Sequence, residues 1–270
     1  MLRLIGVGDN TVDTYVHERM RYPGGNAVNV AVLARRYGIQ SAYLGAMGDD
    51  ERGALILDAL RQEDVDVSHC KIIAGTANGY AEVNLIDGER VFGEYSSGAA
   101  AHLVLDTQDL AFISGFEIVH SSVYSCLEAQ LPELKVASRF LCYDFSNQVE
   151  DKAYLAKTLP FVDLAVFSLS DHPHLEAQAV LREIHAAGAG MLLITQGKNG
   201  SWFFDGVNNY HQDIMPAQVV DTMGAGDAFI AAFLVELFRN MPLPAAMASA
   251  AVFAAKNCEH SGAFGYGQPY

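Results

Sequence analysis

The chain has 270 residues, 51% of them apolar and 18% charged, so it can bury a sizeable core and gives no case for disorder. A formal net charge of −15 argues against nucleic acid and against an anionic membrane surface as partners, because both attract basic patches. The four scattered cysteines lack any Cys-x-x-Cys spacing and no apolar run is long enough to span a membrane, so a soluble cytoplasmic protein with reduced thiols is expected.

In chain order, residues 2–7 read as a first β-strand rather than a signal peptide, ending at Gly8-Asp9-Asn10. Residues 11–22 alternate in part and suggest one or two exposed strands. Pro23-Gly24-Gly25-Asn26 opens a helix that Gly38 closes. A strand at 41–47, a helix at 51–63 and a strand at 70–73 follow. Residues 79–86 and 90–95 flank Asp87-Gly88, a strong hairpin signal. Apolar strands are then predicted at 117–121, 140–144, 164–167 and 191–195, with helices between them, clearest at 176–187. A second hairpin turns near Gly206, and helices at 228–239 and 243–258 precede a glycine-rich tail. Apolar strands alternating with helices imply an α/β fold with a buried, mostly parallel sheet covered on both faces. The stray strands, 11–22 and 79–95, are expected to pair into a small sheet that leans on the main domain as a lid; the alternative is that they extend the main sheet.

One stretch carries chemistry. Asp221-Thr222-Met223-Gly224-Ala225-Gly226-Asp227 runs into an uninterrupted helical segment, so its glycines and Asp227 fall at a helix start. Unpaired backbone N–H groups and the helix dipole make an anion site there, and glycine lets the anion approach closely. A carboxylate beside such a site makes sense as a base that takes a proton from a hydroxyl attacking phosphorus. Taken alone, Asp227 also fits a plain helix cap. Competing chemistries lack their motifs: there is no P-loop, no dinucleotide fingerprint, no nucleophile elbow and no His-Glu-x-x-His.

The whole string resembles, without mismatch, the second signature of the PfkB (ribokinase-like) carbohydrate and nucleoside kinases, Asp-Thr-x-Gly-Ala-Gly-Asp. Gly24-Gly25 with Asn29 five residues beyond the first glycine resembles the family's first signature. The resemblance spans essentially the whole chain. It implies a single domain over residues 1–270, a three-layer α/β/α sandwich, with a β lid formed by 11–22 and 79–95. By resemblance, Gly224, Ala225 and Gly226 form the anion hole and Asp227 is the catalytic base. Asp9, Asp13, Gly24, Gly25, Asn26 and Asn29 orient a sugar. Apart from the resemblance, Arg90 and Glu94 suit the ionic groups of a charged substrate if the hairpin closes over the site, and equally suit exposed charges that keep the edge soluble. Ser168, Thr195, Gly197, Gly200, Gly226 and Asn257 fall on the nucleotide side; Thr195-Gln196-Gly197-Lys198-Asn199-Gly200 resembles the family's nucleotide loop. Where the family often has Asn-x-x-Glu, this chain reads Ser168-Leu169-Ser170-Asp171, so Mg2+ is expected on ATP and water with no protein ligand assigned, and a monovalent cation stays open. Asp144-Phe145-Ser146-Asn147 fits either another family segment or a strand-end turn.

Further strings, among them Arg90-Val91-Phe92-Gly93-Glu94-Tyr95, Ile118-Val119-His120 and Asp144-Phe145-Ser146, resemble the fructoselysine 6-kinase branch. That implies ATP-dependent phosphorylation of a fructosamine at its 6-hydroxyl, with a homodimer formed through the lid. A kinase for ribose, fructose or a nucleoside, and a non-catalytic sugar or nucleotide sensor, remain the alternatives.

Overall fold

The computed structural model describes all residues except 87, 88, 171, 173 and 174, and only the backbone at 85, 86, 89 and 90. The chain opens with β1 (Arg3–Val7), β2 (Thr11–Tyr15), β3 (Met20–Gly24), α1 (Asn26–Arg36), β4 (Gln40–Leu44), β5 (Ala46–Gly48) and α2 (Glu51–Gln62). It continues through β6 (Lys71–Ile73), β7 (Asn78–Ile86), β8 (Glu89–Gly98), α3 (Thr107–Ile113), β9 (Ile118–Ser122), α4 (Leu131–Ala137), β10 (Leu141–Asp144) and α5 (Lys152–Thr158). It closes with β11 (Leu164–Ser168), α6 (Ala177–Ala186), β12 (Met191–Thr195), β13 (Ser201–Phe204), β14 (Asn209–Gln212), α7 (Ala225–Phe238), α8 (Leu243–Asn257) and β15 (Gln268–Pro269).

Eight strands form the central sheet in the order β14-β13-β12-β11-β10-β9-β1-β4. The six from β12 to β4 run parallel and the β13–β14 edge is antiparallel. Strand periodicity splits the core in two. Ile5, Tyr143, Ala165, Phe167, Leu192 and Ile194 pack under α3 to α6, while Leu4, Cys142, Leu164, Val166 and Leu193 face α1, α7 and α8. The strands are apolar on both faces because helices cover both.

A second sheet of five strands, β15-β3-β2-β7-β8, stands apart from the first. Strands 11–15 and 20–24 therefore do not extend the main sheet. They are also not exposed as expected: four of the five residues of β2 are buried. The sheet grows from the C-terminal end of β1, and β3 leads back into α1. Among the described residues its own apolar cluster is Tyr15, Tyr22 and Val83, with Met20 and Met223 against them, while Val12 joins the cluster of α1 and α2.

Three local expectations needed correction. The strand at 41–47 breaks at Gly45, where a Cβ would sit 1.8 Å from the Tyr43 hydroxyl, and β5 pairs with β6 instead. Helix α7 begins at Ala225 rather than 228, so Gly226 and Asp227 lie inside its first turn. The glycine-rich tail ends in β15, which pairs with β3. The predicted Asp87-Gly88 turn lies outside the described residues.

Candidate active site

The polar residues gather beyond the C-terminal ends of the parallel strands, where open α/β sheets place their ligands. Asp9 follows β1, Ser122 ends β9, Asp144 ends β10, Ser168 ends β11 and Thr195 ends β12. From the other side, α1 and α7 point their first turns into the same cleft.

Gly224 begins α7 in the left-handed conformation (φ 73°), and no side chain caps the helix. A Cβ there would lie 2.8 Å from Ala263, so glycine is required for both reasons. At Gly226 a Cβ would meet nothing within 4 Å, which leaves the first turn open on that side. The Asp227 carboxylate belongs to the same turn. Asn26 Nδ2 donates to its Oδ1 at 2.9 Å and Asn29 Nδ2 to its Oδ2 at 2.6 Å. Burial pushes the Asp227 carboxyl up to about 8; Asp144 and Asp9 add to the rise and the two asparagine hydrogen bonds oppose it. A carboxyl poised near neutrality suits proton abstraction better than one at its ordinary value.

Asn26 also donates through the same Nδ2 to Asp144 Oδ2 at 2.8 Å, so one amide bridges two carboxylates. Asp144 is raised by burial to about 6. Its Oδ1 takes the backbone N–H of Ser146, as a strand-end turn would. Asp9 serves the start of α1. Its Oδ2 accepts from Asn26 N at 2.6 Å, and its Oδ1 from Ala27 N, Ser122 Oγ and Ser125 Oγ. Expected as a sugar contact, it spends most of its capacity anchoring the helix.

The two glycines of the first signature answer to the protein itself. A Cβ at Gly25 (φ 107°) would sit 2.6 Å from Asn10 Cα, and one at Gly24 would sit 2.4 Å from Asp13 Oδ2. They let the helix start press against the turn that carries Asp9 and against the buried Asp13. Asn29 and Asn26, also expected at the sugar, both donate to the carboxylate of Asp227.

On the nucleotide side, Ser168 and Thr195 are register neighbours at adjacent strand ends. Gly197 and Gly200 both have positive φ, and a Cβ at Gly200 would lie 2.2 Å from Gln212 O. Lys198 is exposed. Asn257 is buried and its amide donates to Ala263 O at 2.9 Å and Met223 O at 3.4 Å, so it steadies the loop before α7. Asp221 joins that loop to the small sheet: it accepts from the Tyr15 hydroxyl at 2.5 Å, from Met223 N and from Gly262 N. Asp171 and the side chain of Arg90 lie outside the described residues. Glu94 is exposed on β8 and takes a 3.3 Å hydrogen bond from Tyr80.

Sequence reasoning passed over Ser122 and Ser125 and gave His120 no role. His120 is fully buried and its Nε2 lies 2.7 Å from Asn26 Oδ1. The signal was present: a histidine and two serines end an otherwise apolar strand, His120-Ser121-Ser122.

The model of the pfkB family carbohydrate kinases matches residues 1–266 of this chain. Fructosamine kinase FrlD of Bacillus subtilis (strain 168) is 42% identical, covering 100% of this chain and 95% of its own. Fructoselysine 6-kinase of Escherichia coli (strain K12) is 36% identical, covering 98% and 100%. Among solved structures, Arabidopsis thaliana ribokinase complexed with ribose and ATP superposes with a TM-score of 0.82 over 97% of this chain and 94% of that one; at 22% identity the likeness is one of fold.

Proposed function

The chain belongs to the pfkB family of carbohydrate kinases, and from that premise we propose that it transfers the γ-phosphoryl group of ATP to the 6-hydroxyl of a fructosamine such as fructoselysine. The observation that carries the reading is the composition of the cleft. Asp9, Asp144 and Asp227 lie close enough to perturb one another. Among the described residues no lysine or arginine pairs with any of the three. A neutral sugar does nothing for that clustered charge, whereas a fructosamine brings an ammonium. The full-length relatives named for fructosamines support the same substrate class.

In this mechanism Asp227 accepts the proton of the 6-hydroxyl as its oxygen attacks the γ-phosphorus. The free amides of the first turn of α7 receive the charge that develops on the transferring group. Asn26 and Asn29 fix the two oxygens of the base. Asp13, set against Gly24, and the remaining lone pairs of Asp9 and Asp144 face the sugar and its ammonium. Ser168, Thr195, Gly197 and Gly200 border the nucleotide. Hydroxyl oxygens at Ser168, Ser170 and Thr195 suit a hard cation or its water shell, so Mg2+ carried by the ATP phosphates fits this end of the cleft. When bound, it neutralises phosphate charge.

The small sheet closes over the strand ends as a lid within one domain of residues 1–270, and its exposed Val91, Phe92 and Tyr95 form the contact of a homodimer. Use of ATP and four free cysteines support the reading of a cytoplasmic protein. ADP release on a panel of fructoselysine, fructose, ribose and adenosine tests the substrate. Turnover of fructoselysine in preference to fructose, ribose and adenosine is expected, with Asp144→Asn raising the KM for fructoselysine about tenfold; preference for a plain sugar or nucleoside overturns the fructosamine assignment.

A further inference from the structure

A histidine buried in the central sheet is an expensive way to fill space. His120 is fully inside, and its Nδ1 has no hydrogen-bond partner among the described residues. An aliphatic side chain would fill the site without that cost, so stability alone does not account for it. Burial lowers its pKa to about 3, which leaves the imidazole neutral.

Its other nitrogen has a defined partner. Nε2 lies 2.7 Å from Asn26 Oδ1, and a carbonyl oxygen only accepts, so Nε2 carries the proton and donates. That bond turns the Asn26 amide so that its –NH2 faces Asp227 Oδ1 and Asp144 Oδ2. The flipped amide would set its oxygen against both carboxylates. The backbone N–H of Asn26 is already held by Asp9, so every polar group of Asn26 except its carbonyl works on a carboxylate or on His120.

The geometry points to His120 as a positioning residue for phosphoryl transfer: through Asn26 it holds Asp227 and Asp144 on one amide and keeps that amide donating to the base. The inference rests on Asp227 being the base. The groups that face Asp227 are Asn29 from its own contact on α1, Asn26 from the start of that helix, Asp144 from β10 and Asp9 from the end of β1. Only the asparagines favour the ionised carboxylate, so freeing the Asn26 amide removes one of two stabilising bonds and lets both neighbouring carboxylates raise the base further.

The test is the pH profile of kcat/KM for the wild type and for His120→Leu, His120→Gln and His120→Asn with one substrate. The leucine variant should move the acidic limb upward by about one pH unit, a loss of roughly tenfold below the limb, while turnover at high pH recovers to within about twofold. Glutamine places an N–H donor where Nε2 stood and should restore the wild-type limb. Asparagine is too short to reach and should behave as leucine does. A limb that stays put in both Leu and Asn variants, or moves equally in Gln and Asn, overturns the assignment even if melting temperatures fall. Asp227→Asn distinguishes the two failures: normal turnover in that variant removes the base, whereas an inactive Asp227→Asn beside an unmoved limb removes only His120.

Discussion

The two sheets bury their residues on opposite terms. The central sheet is apolar on both faces and lies between two large clusters that contain most of the core. The small sheet has an apolar cluster of three buried side chains, Tyr15, Tyr22 and Val83, and leaves residues 91–95 of β8 exposed. The first has the rigidity to hold a catalytic constellation at its strand ends. The second has a small apolar cluster and depends on its neighbours, which is compatible with the lid role proposed for it. The Tyr15–Asp221 hydrogen bond is where the two meet, between β2 and the loop that starts α7.

Substitutions can break this contrast at different strengths. The largest effect is expected at the rigid end: Asp227→Asn should lower kcat by about 10² to 10⁴ while ATP binding, followed by calorimetry, persists. Near-normal turnover would remove Asp227 as the base. In the central core, Phe233→Ala should cost about 3–5 kcal/mol in denaturant unfolding, because the ring is fully buried among Phe203 and Phe229. At the junction, Tyr15→Phe leaves Asp221 short of a donor in a buried place, and a loss of about 1–3 kcal/mol is expected, with kcat falling more than KM rises. A purely structural junction would lower the melting temperature and leave kcat alone.

The pH profile sharpens the same contrast. With its carboxyl raised to about 8, Asp227 is mostly protonated below that pH in the free enzyme, so kcat/KM should climb as pH rises and level off above it. A profile flat from pH 6 to 9 would contradict this. Because the folded-state value lies above the ordinary carboxyl value of 3.8, the Asp227 contribution to stability is lost as pH rises through about 8. The smallest effect on stability is expected at the small sheet. Phe92→Ser should change unfolding free energy by less than about 0.5 kcal/mol, yet sedimentation should shift from dimer toward monomer. An unchanged sedimentation coefficient would remove the lid as the dimer contact.

Much of the fold was legible before any coordinates. Periodicity and length marked five of the six parallel strands to within a residue at either end, since a strand covered on both faces must be apolar throughout, and overran β4 by three residues past Leu44. The start of α7 was harder. Gly224, Ala225 and Gly226 resemble a loop by propensity, but the αL turn at Gly224 lets the helix begin at Ala225. β15 escaped notice because two residues carry no period, and only the presence of β3 beside them makes a strand.

The amino-acid sequence by itself determined the layered α/β architecture, the glycine turn before Asp227 and, through two signatures, the family. These follow from local rules: where apolar residues recur, where a helix can start and where only glycine fits. Tertiary structure alone decided what the polar residues do for one another. Asp9 became an anchor for α1, Asn26 a bridge between Asp227 and Asp144, and His120 the support of that bridge. Residues 9, 26, 120, 144 and 227 meet only when parallel strands and two helix starts converge, and no spacing along the chain records that convergence.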